Sequence, residues 1–282
     1  MSVLLGTLCL NEMQWLPQLW EQHKNWPELA SWVFVEAADA VYAATNPTLV
    51  SSEGLSVDGT SEFLAQLAER DPRVVYIRHG ITSNPNPAAG KIAARQRYLD
   101  IAENVKPEFV IAIDADEFYT RNGQAELLRW MRKYPKNNSF VFHRREIWRP
   151  PSIVTRPLFT YEVVGGFWAI ACCHWWRWQA GMHYGDCHNS PYGGDGVTLH
   201  KTLMRLDKER RAPQMIHLGY AADLAYRVAK CNYYAARGEA EDPTRSWYVR
   251  SRAAWESWTR KTALPKQAKV IPYKGDVPEV FR

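Results

Sequence analysis

Short apolar runs alternate with segments of helical period over the first 150 residues of the chain. This alternation is typical of α/β proteins, in which helices cover both faces of a mostly parallel sheet. We predict strands at residues 3–8, 31–36, 74–77, 109–113 and 139–143, helices at residues 14–25, 91–104 and 124–133, and a further helix that begins at Thr60. The run 109–113 (FVIAI) is apolar at every position, so we predict that it is a central strand, buried on both faces.

Composition excludes several other classes of protein. With 282 residues, 46% of them hydrophobic and 23% charged, the chain is neither disordered nor fibrous, and it is long enough to bury a sizeable core. Its five cysteines include no C-x-x-C pair, which argues against a disulfide framework and a zinc ribbon. The first residues, MSVLLGTLCLNEMQW, lack a basic leader, and no apolar run reaches the roughly 20 residues of a membrane-spanning helix. We therefore expect a cytoplasmic protein without a membrane anchor.

Two acidic residues, Asp114 and Asp116, follow the predicted central strand directly. In an open α/β sheet, ligands bind beyond the carboxyl ends of the strands, which is where both residues lie. Side chains two residues apart in an extended segment point the same way, so both carboxylates can face one divalent cation. Oxygen ligands suit Mg²⁺ or Mn²⁺, which usually keep coordination positions for substrate phosphates. The alternative is a solvated acidic turn, because D-x-D alone is a frequent pattern.

Five segments of the chain form a wider pattern. They are TLCLNEMQWLPQLWEQH near the start, FVEAAD after the second predicted strand, Gly90-Lys91 with Ala94-Arg95, FVIAIDADEF, and Met215-Ile-His217-Leu-Gly219. This pattern resembles family 2-like glycosyltransferases of the GT-A fold, and the resemblance covers most of residues 3–220. It implies a Rossmann-like mixed sheet flanked by helices, a nucleotide-sugar donor, and a D-x-D motif that holds a metal ion on the diphosphate of the donor.

The resemblance also implies roles for individual residues. The residues expected at the nucleotide are Thr7, Leu8, Asn11, Glu12 and Glu36. Those expected at the diphosphate are Lys91, Arg95 and Asp114. The expected metal ligands are Asp114, Asp116 and His217. A UDP-sugar such as UDP-glucose is therefore the expected donor, and Mn²⁺ or Mg²⁺ is the expected cofactor.

The resemblance further implies an inverting displacement, in which a base removes the proton of the acceptor hydroxyl. The acidic pair that supplies this base in the family is absent here, and Glu36-Ala-Ala-Asp39 replaces the compact turn that follows the second strand in the family. The candidates for the base lie in a Gly-rich region and are Asp186, Asp195 and His188. A carboxylate, or a neutral imidazole near pH 7, can accept the proton.

The C-terminal segment carries the excess positive charge. Residues 221–282 contain 12 Lys and Arg against 7 Asp and Glu, which accounts for the whole net charge of +5. We predict helices at residues 221–237 and 244–261. The expected organisation is a catalytic domain at residues 1–220, with a nucleotide-sugar-binding half at 1–120 and an acceptor-side half at 121–220, followed by a basic helical extension.

Tryptophans lie among these basic residues, and the pattern is compatible with more than one kind of acceptor. Trp247, Trp255 and Trp258 alternate with basic residues, a pattern that phosphate backbones and unstacked bases both accept. An alternative function is therefore a non-catalytic nucleic-acid-binding protein. The glycosyltransferase and nucleic-acid-binding interpretations are both met by a hexosyltransferase that modifies hydroxymethylated DNA bases, as some phage enzymes do. The other expected acceptor is a glycan or a lipid-linked acceptor. A second cluster, Trp168, Trp175, Trp176 and Trp178, fits either core packing or an acceptor platform.

Overall fold

The computed structural model of the chain describes residues 1–82, 87–142, 144–149, 158–165, 172–185, 193, 203–205, 215–219, 221–236 and 268–282. The helices are α1 (Leu16–His23), α2 (Ala40–Thr45), α3 (Thr60–Arg70), α4 (Pro87–Val105), α5 (Arg121–Lys133) and α6 (Leu224–Ala236). The first six strands are β1 (Val3–Cys9), β2 (Leu29–Asp39), β3 (Val74–Thr82), β4 (Phe109–Ala112), β5 (Glu117–Tyr119) and β6 (Ser139–Phe142). The other strands are β7 (Arg144–Trp148), β8 (Tyr161–Gly165), β9 (Cys172–Arg177), β10 (Leu203–Arg205), β11 (Met215–His217) and β12 (Ala268–Pro272).

Seven strands form one mixed sheet in the order β10-β6-β9-β4-β1-β2-β3. Strands β3, β2, β1 and β4 run parallel to one another, whereas β9 is antiparallel to both β4 and β6. The prediction of an α/β fold with a mixed sheet flanked by helices is confirmed. Strand β4 lies in the middle of this sheet with all of its residues buried, as its apolar sequence predicts.

A second sheet has the order β12-β8-β7-β11-β5. Strand β11 is antiparallel to β5 and parallel to β7, so it lies between them. Strand β5 begins at Glu117, only a short turn after β4 ends. The acidic motif therefore lies where the chain passes from the large sheet into the small one.

The two faces of the large sheet pack against separate cores, which explains the apolar strands. In β1, Val3 and Leu5 belong to one core, whereas Leu4 belongs to the other, where it joins residues of α4 such as Tyr98. Gly6 allows α4 to approach β1 closely, because a Cβ at this position would lie 2.5 Å from ring atoms of Tyr98. This close packing fixes α4, which carries two of the predicted site residues, against the end of β1.

The segment 37–59 has little periodicity in its sequence, yet it contains regular structure. Strand β2 continues to Asp39, whose Oδ1 accepts a hydrogen bond from Val41 N at 2.8 Å and so caps α2. A short 3₁₀ helix, Pro47–Leu49, follows. The Asp39 side chain at the N-cap thus satisfies one of the N–H groups that the first turn of α2 leaves without a partner inside the helix.

The tryptophans of β9 contribute to the cores. Trp175 and Trp176 are buried, and successive residues of the strand face opposite sides of the sheet, so the two rings pack into different cores. The core interpretation is confirmed for these two residues. Trp168 lies outside the described residues.

The C-terminal segment is partly helical, as predicted, since α6 matches the helix expected at residues 221–237. It also adds a strand, because β12 pairs with β8, and Phe281 packs against Trp15 and Phe118. The helix predicted at residues 244–261 lies outside the described residues. No helix in the described ranges has both the length and the apolar character needed to cross a bilayer.

Candidate active site

The acidic motif forms a tight turn between β4 and β5. Ile113 N donates to the Gly6 carbonyl at 2.9 Å, which extends the pairing of β4 with β1. Glu117 closes the turn, because its N–H donates to the Asp114 carbonyl at 3.0 Å and its carboxylate accepts from the Asp114 N–H at 3.0 Å. Since the segment turns instead of continuing as a strand, Asp114 and Asp116 have different surroundings.

Asp114 is the more exposed of the two acids. Its side chain is 40% exposed, and Oδ1 lies 3.4 Å from Nη2 of Arg95 on α4. Burial would lower the pKa of Arg95, but the negative charge of Asp114 and neighbouring groups raise it, so the guanidinium stays charged. The structure thus brings together two residues that were predicted at the diphosphate.

Asp116 is buried and faces two basic groups. Its Oδ2 lies 3.3 Å from His217 Nε2 and 3.9 Å from Lys230 Nζ. Gly219 makes room for the first contact, because a Cβ there would lie 2.7 Å from Asp116 Oδ2 and 2.9 Å from His217 Nε2. Burial alone would raise the pKa of Asp116, but the charges of His217 and Lys230 hold it well below its usual range. The predicted metal ligands Asp116 and His217 are therefore in direct contact.

A second carboxylate, which the sequence analysis missed, holds His217 from its other side. In the parallel pair β7–β11, Glu146 lies opposite His217, and the distance from His217 Nδ1 to Glu146 Oε2 is 2.5 Å. Burial would lower the pKa of His217, but Glu146 and Asp116 raise it to about 10. Arg144 Nε lies 2.5 Å from Glu146 Oε1, and Arg144 Nη1 lies 3.6 Å from Glu117 Oε1. The Arg-x-Glu spacing, which places two charges on one face of a strand, is the signal that could have indicated this network.

The Asp116–His217 pair has the chemistry of a metal-binding site. Asp116 Oδ2 is buried and accepts no hydrogen bond from the described residues. A metal-binding histidine commonly directs its other ring nitrogen to a carboxylate, as His217 does to Glu146. Carboxylate and imidazole together suit divalent ions such as Mn²⁺, and the imidazole binds a metal only when the ligating nitrogen is deprotonated.

The number of protein ligands is small. Within the described ranges, no three His, Cys, Asp or Glu side chains form a group that could hold a metal ion, and Asp114 is paired with Arg95 instead. Mg²⁺ and similar ions often keep most of their coordination positions for substrate phosphates and water. The residues present therefore fit an ion that Asp116 and His217 hold together with a phosphate ligand.

A cavity of about 160 Å³ opens beside these groups, between the ends of β1 and β2 and helices α2, α4 and α6. Three residues predicted at the donor line it, namely Leu8, Glu12 and Lys91. Asp39 lines it as well, and its Oδ2 is buried without a hydrogen bond from the described residues. The aromatic part of the wall consists of Tyr42, Tyr226, Tyr233 and Tyr234. The cavity thus offers aromatic rings and a carboxylate acceptor to a planar ligand that carries N–H donors.

Two other residues predicted at the nucleotide have their polar atoms bonded within the protein. Thr7 is fully buried, and its Oγ1 accepts a hydrogen bond from Trp32 Nε1 at 2.9 Å. Asn11 donates from Nδ2 to the Leu49 carbonyl at 2.6 Å and accepts at Oδ1 from Val57 N at 2.9 Å. Contact of Thr7 and Asn11 with a nucleotide stays a prediction, and this arrangement does not support it.

Glu36 is likewise bonded within the protein. Its buried carboxylate accepts hydrogen bonds from Ser56 N at 2.7 Å, from the Ser61 hydroxyl at 2.8 Å and from the Tyr76 hydroxyl. These bonds tie the end of β2 to the segment that precedes α3 and to β3. Its predicted contact with uridine or ribose is untested, and its observed contacts support a role in shaping the wall next to Asp39.

The predicted catalytic bases Asp186, Asp195 and His188 lie outside the described residues. The last residue described before this stretch is Gly185. The assignment of the base therefore stays a prediction.

Comparison with known proteins gives distant similarities to solved structures. No protein-family model and no curated protein sequence matches the chain. Among solved structures, the chain is similar to residues 1–349 of TarS from S. aureus, at 10% identity, with 88% of this chain and 69% of that chain covered and a TM-score of 0.41. A TarS 1–349 structure in complex with UDP-GlcNAc gives 12% identity, coverage of 88% and 70%, and a TM-score of 0.40. Against another TarS structure, the match covers 57% of this chain and only 24% of that chain, at 12% identity and a TM-score of 0.32.

Proposed function

We propose that the protein is a metal-dependent glycosyltransferase that transfers a hexose from a nucleotide sugar, such as a UDP-sugar, to an acceptor hydroxyl. The observation that carries this proposal is the Glu146–His217–Asp116 chain of contacts beyond the central strand β4. It lies beside a cavity at the carboxyl ends of β1 and β2, the usual ligand position in an open α/β sheet. The carboxylate and imidazole groups of these three residues suit a divalent ion that also coordinates a diphosphate.

The residues in and near the cavity have two roles in this proposal. Asp39 and the tyrosines receive the nucleobase. Lys91 and Arg95, both on α4, direct positive charge toward the diphosphate, and Arg95 also fixes Asp114. A bound Mn²⁺ or Mg²⁺ would act as a Lewis acid that stabilises the negative charge of the leaving diphosphate.

The acceptor side of the site supplies the base that removes the proton of the acceptor hydroxyl. We retain an inverting displacement, with Asp186, Asp195 or His188 as the base and a hydroxymethylated DNA base or a glycan as the acceptor. The non-catalytic alternative, nucleic-acid binding by the basic and Trp-rich part of the C-terminal segment, depends on residues 237–267, which lie outside the described ranges. Nucleotide binding separates the two functions.

The experiment measures thermal stabilisation by UDP, GDP and dTDP, each with Mn²⁺ and with EDTA. A ligand present at one hundred times its Kd raises the free energy of unfolding by about 2.7 kcal/mol, which is readily measured. We expect stabilisation by UDP that depends on Mn²⁺, and release of free UDP from one member of a panel of UDP-sugars. Stabilisation by DNA alone, with no response to any nucleotide, would favour the nucleic-acid-binding alternative.

Asp116→Asn is the decisive variant, because it removes the charge of the proposed ligand and keeps its shape. We expect the Mn²⁺-dependent response to UDP to disappear. Asp100→Asn makes the same change at a half-exposed residue of α4 that pairs with Arg97, and it should respond like wild type. An Asp116→Asn protein that still binds UDP in the wild-type, metal-dependent manner would contradict the proposed function.

A further inference from the structure

Helix α6 brings two polar side chains to the acidic cluster from the side of the cavity. Tyr226 and Lys230 are four residues apart, so they lie on one face of the helix. The Tyr226 hydroxyl donates to Glu12 Oε1 at 3.1 Å, and Lys230 Nζ lies 3.9 Å from Asp116 Oδ2. Lys230 Nζ also lies 5.5 Å from the ring centroid of Tyr226. These contacts link α6 to the turn after β1 and to the acidic motif at the same time.

The helix itself is held in place by α2. Asn46 Nδ2 donates to the Ala229 carbonyl at 3.3 Å, and the rings of Tyr42 and Tyr233 pack edge to face with centroids 5.8 Å apart. The backbone of α6 is therefore fixed, and Lys230 reaches the cluster from a defined position. Any movement of its ammonium group comes from its own flexible side chain.

Two carboxylates share this small, buried region. Glu12 Oε2 and Asp116 Oδ2 are both buried, and neither accepts a hydrogen bond from the described residues. Burial and the negative charge of Asp116 raise the pKa of Glu12, whereas Lys230 opposes this rise. Buried carboxylates need a nearby cation or a hydrogen-bond donor, and Lys230 is a cation placed to serve both.

The contact of Lys230 with Asp116 is loose. At 3.9 Å it is an ion pair that is too long for a hydrogen bond. Lys230 also lines the cavity in which the proposed donor binds. A divalent ion at Asp116 and His217 would repel this ammonium, while a diphosphate in the cavity would attract it.

We propose that Lys230 neutralises the Glu12–Asp116 pair in the metal-free protein and binds the diphosphate of a nucleoside diphosphate when the metal and the donor are present. The inference rests on the proposed function, because it takes the ligand of the cavity to be a nucleoside diphosphate. It makes Lys230 both a competitor of the metal and a partner of the donor. Removing its charge should therefore change the two affinities in opposite directions.

The test compares Lys230→Met with Lys230→Arg, and Lys24→Met serves as the control at a partly exposed lysine that pairs with Glu21. The Mn²⁺ affinity is obtained without nucleotide, from the concentration of free Mn²⁺ measured by electron paramagnetic resonance. The UDP affinity is measured by calorimetry in saturating Mn²⁺. For Lys230→Met we expect Mn²⁺ affinity to rise about tenfold and UDP affinity to fall about tenfold. Lys230→Arg keeps the charge and should change the Mn²⁺ affinity by no more than about twofold, and Lys24→Met should match wild type.

A purely structural role for Lys230 would weaken both affinities or neither, and either result would overturn the inference. If Lys230→Met does not fold, the double variant Glu12→Gln/Lys230→Met removes one charge of each sign and is measured against Glu12→Gln. A wild-type protein that binds no nucleoside diphosphate would overturn the proposed function and this inference together. Wild-type binding of UDP that Lys230→Met retains in full would overturn the inference alone.

Discussion

Glu146→Gln tests the charge network that holds His217. The glutamine keeps the shape of the side chain and can still accept a hydrogen bond from His217 Nδ1, but it carries no charge. In the metal-free protein, Glu146 and Asp116 overcome the effect of burial and raise the pKa of His217 to about 10, against an ordinary value of about 6.5. Each pKa unit corresponds to about 1.4 kcal/mol, so the charged imidazole contributes up to about 5 kcal/mol to the free energy of unfolding.

The sign of the pH dependence follows from the direction of this shift. Because the pKa of His217 is higher in the folded state, its contribution is complete below about pH 6.5 and disappears as the pH rises through about 10. If Glu146 supplies half of the effect, Glu146→Gln lowers the free energy of unfolding by about 2–3 kcal/mol at pH 6 through His217. The difference from wild type should narrow by about 1 kcal/mol or more at pH 9. The lost pairing with Arg144 adds a cost that does not depend on pH in this range.

The assay is urea unfolding followed by tryptophan fluorescence, at pH 6 and pH 9 in the presence of EDTA, so that no metal ion contributes. Glu53→Gln is the matched control, because Glu53 forms an exposed ion pair with Arg78 in which both side chains are more than half exposed. Exposed pairs contribute little, so this control should change stability by less than about 1 kcal/mol. A stability loss for Glu146→Gln that is the same at both pH values would refute the reasoning.

Two further predictions concern other parts of the structure. Asp39→Asn keeps the oxygen that caps α2 but replaces Oδ2, a buried atom of this cavity-lining residue, with an N–H donor, so calorimetry should show at least about a tenfold loss of UDP affinity with little change in melting temperature. Unchanged affinity would contradict the role of Asp39 at the nucleobase. His23 is fully buried, and burial lowers its pKa to about 3, so its contribution to stability is present above about pH 6.5 and is lost as the pH falls toward 3. Between pH 7.5 and pH 5 the loss should be about 2 kcal/mol in urea unfolding, and His23→Phe should lack this loss; an equal loss in the variant would contradict it.

Five strands of the large sheet, β1, β2, β3, β4 and β6, could be predicted because each one has an apolar run in its own sequence. The run of β4 is apolar at every position and indicates a strand that is buried on both faces, whereas β3 lies at the edge of the sheet and is only partly buried. The central position of β4 follows from the absence of any polar residue in it. The pairing of the small sheet could not be predicted in the same way, because β5 and β11 have only three residues each and are stabilised by pairing with each other and of β11 with β7.

The candidate site shows the same limit of sequence patterns. Asp116 and His217 could be named from their motifs, and the structure places them 3.3 Å apart. Lys230 belongs to no motif, and Glu146 has only the short Arg-x-Glu spacing as a signal, so the contacts of both with the Asp116–His217 pair come from the fold. The reverse holds for Glu36, whose position matches a motif but whose carboxylate is bonded to neighbouring parts of the chain.

The division of the site between rigid and flexible parts has a consequence for its chemistry. Asp116, His217 and Glu146 come from or directly adjoin strands of the small sheet, and the surrounding pairing fixes their geometry before any ligand arrives. Lys91 and Lys230 come from helices and end in flexible chains that border the cavity. A fixed acidic centre suits an ion that must be held in one position, whereas mobile cations suit a diphosphate that must enter and then leave as a charged product. We therefore expect substitutions at the small sheet to affect metal binding first, and substitutions on α4 and α6 to affect the nucleotide first.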